Sequence, residues 1–175
     1  KNDAAHHARA AQFADRTIER AYLGVVWGMP TPLTGRIEGN IGRHPRQRKK
    51  MAVLSEGRGK PAATNYKVLK RFGDSDGACL VECRLETGRT HQIRVHAASL
   101  GCGLLGDPVY GRERASGAAR LSPEAREALT ALDRQALHAE LLGFVHPIEA
   151  RAMRFERPPP EDFMALAETL REQFR

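Results

Sequence analysis

The sequence has few cysteines and no long apolar run, and each shortage argues against a class of protein. Its three cysteines, Cys79, Cys83 and Cys102, have no metal-ligand spacing. In a regular strand Cys79 and Cys83 would lie about 13 Å apart, too far for a disulfide. No apolar run approaches a membrane span, and Lys1-Asn2-Asp3 does not open a signal peptide. We therefore expect buried thiols, a cytoplasmic location and no membrane contact.

Metal and dinucleotide sites are not predicted either. The histidines lack a paired ligand spacing such as HExxH. The segment 101–106 matches GxGxxG, but it follows a predicted helix instead of a strand and runs into Asp107-Pro108. We expect neither a metal nor a cofactor.

Positive charge is concentrated in one part of the chain. The net charge is +7 and the isoelectric point is about 9.8. Five cations fall within eight residues without an acid among them. The segment from His44 to Lys50, bounded by Pro45, is too polar for a core and predicts an exposed loop. Such runs are commonly only solvated, but the missing acids favour phosphate contacts that weaken with salt. The five residues are Arg43, Arg46, Arg48, Lys49 and Lys50.

The hydrophobic pattern predicts a single α+β domain over residues 1–175, with a mostly antiparallel mixed sheet and flanking helices. We expect a first helix from Asn2 or Asp3 to Ala14, and a helix capped by Ser122 with Pro123 at its first position. The predicted strands are 20–27, 35–41, 51–54, 64–72, 78–85, 137–145 and 153–155. An amphipathic helix over about 163–174 is predicted to close the chain.

The segment from Leu85 to Tyr110 carries the densest pattern in the chain. Thr90 is the predicted N-cap of a short helix, and Gly101 is predicted to end it. Ile93, Ala97 and Leu100 recur at helical spacing and predict its apolar face. Arg94 lies about 100° round the axis from Ile93, at the edge of that face.

A guanidinium at the edge of a buried face requires a carboxylate or phosphate partner. A structural ion pair is one interpretation of Arg94. The alternative is a functional site, because Arg89, Thr90, His91 and His96 cluster with it at a helix start, which suits an anionic partner. Tyr22 allows two interpretations as well: a core tyrosine with a satisfied hydroxyl, or a ring that projects beside Gly24 into a cleft.

These motifs resemble those of the RluA-type pseudouridine synthases. The resemblance is carried by GRTHQIRVH (88–96) with GDPVYG (106–111), by IGRHPRQRKKMAV (41–53), by Tyr66-Lys67-Val68-Leu69 and by LHAELLGFVHP (137–147). It extends from about Lys1 to about Pro147. The basic segment is most similar to that of the enzymes that modify large-subunit ribosomal RNA.

The resemblance implies a pseudouridine synthase fold, a cofactor-free isomerisation of uridine in RNA, and roles for particular residues. Tyr22 would stack on the flipped uracil and take the C5 proton, Arg94 would pair with the nucleophilic aspartate, and Ile93 would pack near the base. The five cations of the basic run, together with Arg89 and His91, would contact RNA phosphates.

One part of the family pattern is missing. The family carries its nucleophilic aspartate in an HRLD-x-x-(T/S)-S-G segment, and these 175 residues contain none. The only Leu-Asp pair, Leu132-Asp133, lies in a predicted helix. We expect that the aspartate belongs to sequence upstream of Lys1, that the fold is incomplete at this end, and that the chain is inactive alone. The alternative is a non-catalytic RNA-binding module with the same fold.

Overall fold

One seven-stranded sheet organises the part of the chain that the computed structural model describes, residues 18–47, 49–74, 77–111 and 115–175. The strand order is β3-β2-β4-β5-β1-β6-β7. The strands are β1 (Glu19–Trp27), β2 (Thr34–Arg43), β3 (Met51–Leu54), β4 (Lys60–Phe72), β5 (Ala78–Leu85), β6 (Leu137–Val145) and β7 (Ala152–Glu156). The helices are α1 (Gln92–Ser99), α2 (Ala115–Ala119), α3 (Pro123–Leu132) and α4 (Glu161–Gln173).

Strand β1 lies inside the sheet, between β5 and β6, and is buried on both faces. On one face Leu23, Val25 and Trp27 pack with Phe163 and other apolar residues of α3 and α4. On the opposite face Val26 belongs to a second core cluster, which α1 covers through Ile93. The two-residue alternation expected for residues 20–27 therefore separates two cores, as a strand buried on both sides requires.

The segment that follows α1 is bound to the far end of β1. Trp27 N–H donates to the Gly103 carbonyl (2.9 Å), and Leu105 N–H donates to the Val25 carbonyl (2.9 Å). Leu104 and Leu105 are fully buried, one in each core cluster. These bonds place the loop after α1, residues 106–111, next to the strand that carries Tyr22.

Most predicted elements are confirmed within a few residues. The hairpin of β4 and β5 forms, and Ser122 Oγ accepts from Ala125 N–H (3.1 Å) at the start of α3, with Pro123 at its first position. The sheet differs from the prediction because every pair among the described strands is antiparallel. The predicted helix from Asn2 or Asp3 to Ala14 lies outside the described residues. None of the described helices has the length and apolarity needed to cross a membrane.

The predicted apolar face of α1 is only partly right. Ile93 is buried and Ala97 packs against the same cluster, but Leu100 is 41% exposed. Val95 and His96 are buried instead. The helix lies across two clusters, with Ile93 in one and Val95 in the other, so its buried surface is wider than one stripe.

We expect Gly106→Ala to destabilise the protein more than Gly101→Ala does. Both glycines have left-handed φ angles, 68° and 69°, which cost alanine about 1–2 kcal/mol. A Cβ at Gly106 would lie 2.3 Å from the Arg134 carbonyl oxygen, whereas one at Gly101 meets nothing within 4 Å. The backbone clash should add roughly 1–3 kcal/mol to the loss of unfolding free energy, measured by urea denaturation. Equal losses in the two variants would contradict this account.

Candidate active site

A buried ion pair joins α1 to the loop at 106–111. Arg94 Nε and Nη2 donate to Asp107 Oδ2 and Oδ1, both at 2.7 Å. The Arg94 side chain is 12% exposed and that of Asp107 is 0% exposed. The parallel two-bond geometry is the strong form of an arginine–carboxylate contact. Arg94 therefore has a carboxylate partner within this chain, as the structural ion-pair interpretation of this residue required.

Asp107 also closes its own turn. Its Oδ1 accepts from the Val109 N–H (2.9 Å) and from the Tyr110 N–H (3.0 Å). Burial alone would raise the pKa of the Asp107 carboxyl, but the Arg94 hydrogen bonds and the two backbone N–H groups outweigh burial, and its pKa lies below the ordinary value. The hydrogen bonds from Arg94 likewise raise the pKa of the guanidinium. Both groups are charged at neutral pH.

The start of α1 is built by Gln92 instead of Thr90. The helix begins at Gln92, with His91 as the preceding residue in a left-handed conformation (φ 57°), and Thr90 is exposed. Gln92 Oε1 accepts from Arg89 N–H (2.9 Å) and from Thr87 Oγ1 (2.7 Å). The prediction of Thr90 as N-cap is wrong, because the Gln92 side chain folds back to satisfy the turn.

The same Gln92 side chain fastens α1 to the sheet. Its Nε2 donates to the Ala63 carbonyl (2.9 Å) and to Thr64 Oγ1 (3.0 Å) in β4. All four hydrogen-bonding positions of this buried amide are thus used inside the protein. The helix that carries Arg94 cannot shift along the sheet without breaking them.

Tyr22 and Ile93 lie in the same apolar cluster. Tyr22 is partly buried and packs against a group of buried residues that includes Ile93 and Cys83. The neighbouring Arg20 lies against the turn before α1, since a Cβ at Gly88 would come 2.5 Å from Arg20 Nη1. Burial lowers the pKa of the Arg20 guanidinium, and the charge of a Tyr22 phenolate would oppose that shift. The structure thus brings Tyr22, Ile93 and the start of the motif to one face of the sheet.

The basic run forms the loop between β2 and β3, as predicted. His44 Nδ1 accepts from the backbone N–H groups of Arg46 and Gln47, both at 3.1 Å, and His44 N–H donates to the Lys50 carbonyl (2.9 Å). These bonds order the loop while Arg46 and Lys49 stay exposed, as does Arg43 at the end of β2. Arg48 lies outside the described residues.

Tyr110 brings this loop to α1. Its hydroxyl accepts from Met51 N–H (2.8 Å) and lies 3.0 Å from His91 Nδ1. The Arg94 guanidinium lies over the Tyr110 ring, 4.9 Å from the centroid. Arg89 turns elsewhere, and its Nε donates to the Pro61 carbonyl (2.9 Å). His91 and Arg94 therefore share one neighbour, while Arg89 is held at the adjoining strand β4.

His96 is a buried neutral histidine under α1. Its Nδ1 shares a hydrogen bond with Thr64 Oγ1 (2.9 Å), and its Nε2 has no hydrogen-bond partner among the residues that the structure describes. Burial lowers the pKa of His96 to about 4. It lines a small cavity beside Ile93, and we assign it no contact with an anion.

Four residues of this site were not singled out from the sequence: Arg20, Gln92, Asp107 and Tyr110. The GDPVYG motif contains two of them, so the signal was present as a short Asp-Pro turn. What the sequence did not reveal is that this turn returns to Arg94, thirteen positions earlier. Cys79, Cys83 and Cys102 are buried thiols, as predicted.

We expect Arg94→Ala to cost about 3–5 kcal/mol of unfolding free energy, because it leaves a buried carboxylate without its cation. The matched control is Arg134→Ala. Arg134 also binds a carboxylate through two contacts, to Asp162, but those side chains are 36% and 37% exposed. The control should therefore lose much less in the same urea titration. Similar losses would show that the Arg94–Asp107 pair is not isolated from water.

We expect stability to fall as the pH is lowered from about 6.5 to 4. An unfolded histidine takes up a proton near pH 6.5, whereas folded His96 does so only near pH 4. Each pH unit in this window then removes about 1.4 kcal/mol of unfolding free energy, roughly 3 kcal/mol in all. Burial and the Arg94 charge also lower the pKa of His91, which adds to the loss.

The measurement is the unfolding free energy at several pH values, in the natural chain and in His96→Asn. The variant should have a smaller slope across this window, because it has no imidazole to protonate at position 96. An unchanged slope would contradict the assignment.

Comparisons with known proteins agree with the resemblance seen in the motifs. The family model described as RNA pseudouridylate synthase matches residues 1–99. The chain is 46% identical over 170 residues to the ribosomal large subunit pseudouridine synthase D of Zymomonas mobilis, covering 97% of this chain and 50% of that protein. It is 42% identical over 183 residues to the chloroplastic RNA pseudouridine synthase 2 of Arabidopsis thaliana, covering 98% of this chain and 42% of that one. The chain thus spans about half the length of these relatives.

The fold agrees as well. The solved structure of human RNA pseudouridylate synthase domain containing 4 superposes with a TM-score of 0.70 at 25% identity, covering 98% of this chain and 69% of that chain. The seven-stranded antiparallel sheet with helices on both faces is accordingly the α+β fold that the resemblance implied. The chain belongs to the RNA pseudouridylate synthase family.

Proposed function

We propose that this chain is part of an enzyme that isomerises uridine to pseudouridine in ribosomal RNA of the large subunit. The reaction breaks the N1–C1′ bond, joins C5 to C1′ and removes the proton from C5, while N1 gains a proton, so that substrate and product are isomers. The proposal is supported by family membership and by the name of the relative that is 46% identical over almost the whole chain.

The observation that carries the proposal is the placement of Tyr22, Ile93 and Arg94. Tyr22 and Ile93 share one apolar cluster, and Arg94 follows Ile93 in a helix fastened by Gln92 and Asp107. An aromatic ring beside an apolar surface is suited to hold a base that has been turned out of its stack. A phenol at that position is within the chemistry of a general base.

Asp107 is not suited to act as the nucleophilic aspartate. Its side chain is fully buried, and its oxygens already accept from Arg94, Val109 and Tyr110. We therefore propose that another part of the enzyme supplies the nucleophile and that these 175 residues alone do not isomerise uridine. Arg94 Nη1 is not used by Asp107, and its N–H groups are the donors that could hold a second carboxylate in the charged form.

The ordered loop between β2 and β3 supports a binding role beside this site. It presents Arg46 and Lys49 to solvent, and Arg43 at its base is exposed too. We propose that these cations bind phosphates of the RNA. We also propose a cytoplasmic location. It is supported by Cys79, a buried thiol without a disulfide, which is the usual state of cysteines in a reducing compartment.

We expect Tyr22→Phe to lower pseudouridine formation by at least about 100-fold, because it removes the base and keeps the ring. The assay is mass spectrometry of ribosomal RNA treated with the full-length gene product, and RNA binding is measured beside it. The control is Tyr66→Phe, which removes another hydroxyl, one that donates to the Pro32 carbonyl (2.9 Å) in the same cluster.

Product formation that survives in Tyr22→Phe would reject the role of Tyr22. A full-length natural protein that binds RNA and forms no pseudouridine would reject the enzyme and favour the RNA-binding module. The missing HRLD-type segment is the sequence feature that keeps that second candidate open.

A further inference from the structure

The Tyr110 side chain contacts the start of β3, where the basic loop ends, the left-handed turn at His91 and the Arg94 side of the buried ion pair. Its hydroxyl contacts Met51 at the end of the loop, and it contacts His91 before α1. Its ring packs edge-on against the His91 ring, with centroids 5.7 Å apart, and lies under the Arg94 guanidinium. Its backbone N–H is held by Asp107. Contacts with Met51, His91, Arg94 and Asp107 therefore fix the position of Tyr110.

The hydroxyl bonds define how His91 is protonated. A backbone N–H can only donate, so Met51 uses a lone pair of the phenol oxygen. The Met51 N–H, the Tyr110 hydroxyl and His91 Nδ1 are all satisfied when the phenol O–H donates to His91 Nδ1. In that arrangement Nδ1 is the acceptor of a neutral imidazole ring. The remaining ring hydrogen lies on Nε2. Burial and the nearby Arg94 charge lower the pKa of His91, in agreement with a neutral ring.

The left-handed backbone of His91 also needs an explanation. A φ of 57° is uncommon for a residue other than glycine and is energetically unfavourable. Such a conformation persists only where the surroundings hold it. The hydrogen bond to Tyr110 and the edge-on ring contact are two interactions that do so here.

We propose that Tyr110 is a positioning residue that joins the basic loop to α1 and orients His91, so that loop cations and the His91 Nε2–H act as one RNA-binding surface. The RNA part rests on the proposed function. The joining of loop and helix rests on the contacts alone. Tyr110 has no proposed contact with the reacting base and is not a catalytic residue.

The joining is tested by Tyr110→Phe, which keeps the ring over Arg94 and removes the hydroxyl. We expect the Met51 amide hydrogen to exchange about 5–10-fold faster, as the loss of one hydrogen bond predicts. Nitrogen chemical shifts of His91 should change from the pure Nε2–H form to a mixture of tautomers. Tyr66→Phe removes a hydroxyl in a different core cluster from the one against which Tyr110 packs, and it should change neither. Unchanged Met51 exchange and an unchanged His91 tautomer would overturn the proposal.

The RNA part is tested by a double-mutant cycle on affinity for a ribosomal RNA fragment. We expect Lys49→Ala to weaken binding less in Tyr110→Phe than in the natural chain, because the loop is no longer held against α1. The same cycle built on Tyr66→Phe should be additive. Additivity in both cycles would overturn the single-surface proposal. A full-length natural protein that binds no RNA would reject the proposed function, and the Met51 and His91 measurements would still decide whether Tyr110 joins loop and helix.

Discussion

The candidate site depends on one interaction, the buried ion pair between Arg94 and Asp107. Removing two charges from water is expensive, and the cost is recovered only when every remaining donor and acceptor is satisfied. Asp107 meets this requirement with two backbone N–H groups of its own turn. The pair therefore does more than join a helix to a loop: it determines the shape of the loop and with it the place of Tyr110.

Strand β1 is the common support for both parts of the site. It carries Tyr22 near one end, and its other end binds the segment that leads from α1 to Asp107. Because β1 is buried on both faces, neither end is free to move independently of the two cores. A reaction that needs a ring and a guanidinium at fixed positions is served by such a rigid element. The basic loop, by contrast, lies at the exposed edge formed by β2 and β3.

Local patterns were sufficient wherever a single segment decides its own conformation. Ser122 followed by Pro123 starts a helix as predicted, and the two-residue alternation of residues 20–27 forms β1. The start of α1 was predicted wrongly for the opposite reason. Thr90 satisfies the local cap rule, but it is Gln92 whose side chain accepts from the Arg89 N–H in the turn before the helix and also bonds to Ala63 and Thr64 across the sheet. A cap rule considers only the residues of one turn, so it does not include hydrogen bonds to a strand almost thirty residues away in the sequence.

What the sequence by itself determined was the order of the seven strands and of three of the four described helices, the exposed basic loop and, through its motifs, the family. It also placed Arg94 at a helix edge and indicated that the guanidinium needs an anion. The tertiary structure decided which anion that is, because Asp107 comes to Arg94 only after the chain has passed along β1. It likewise decided that Tyr110 lies between the loop and His91, since a phenol and a backbone N–H fifty-nine positions apart share no local pattern.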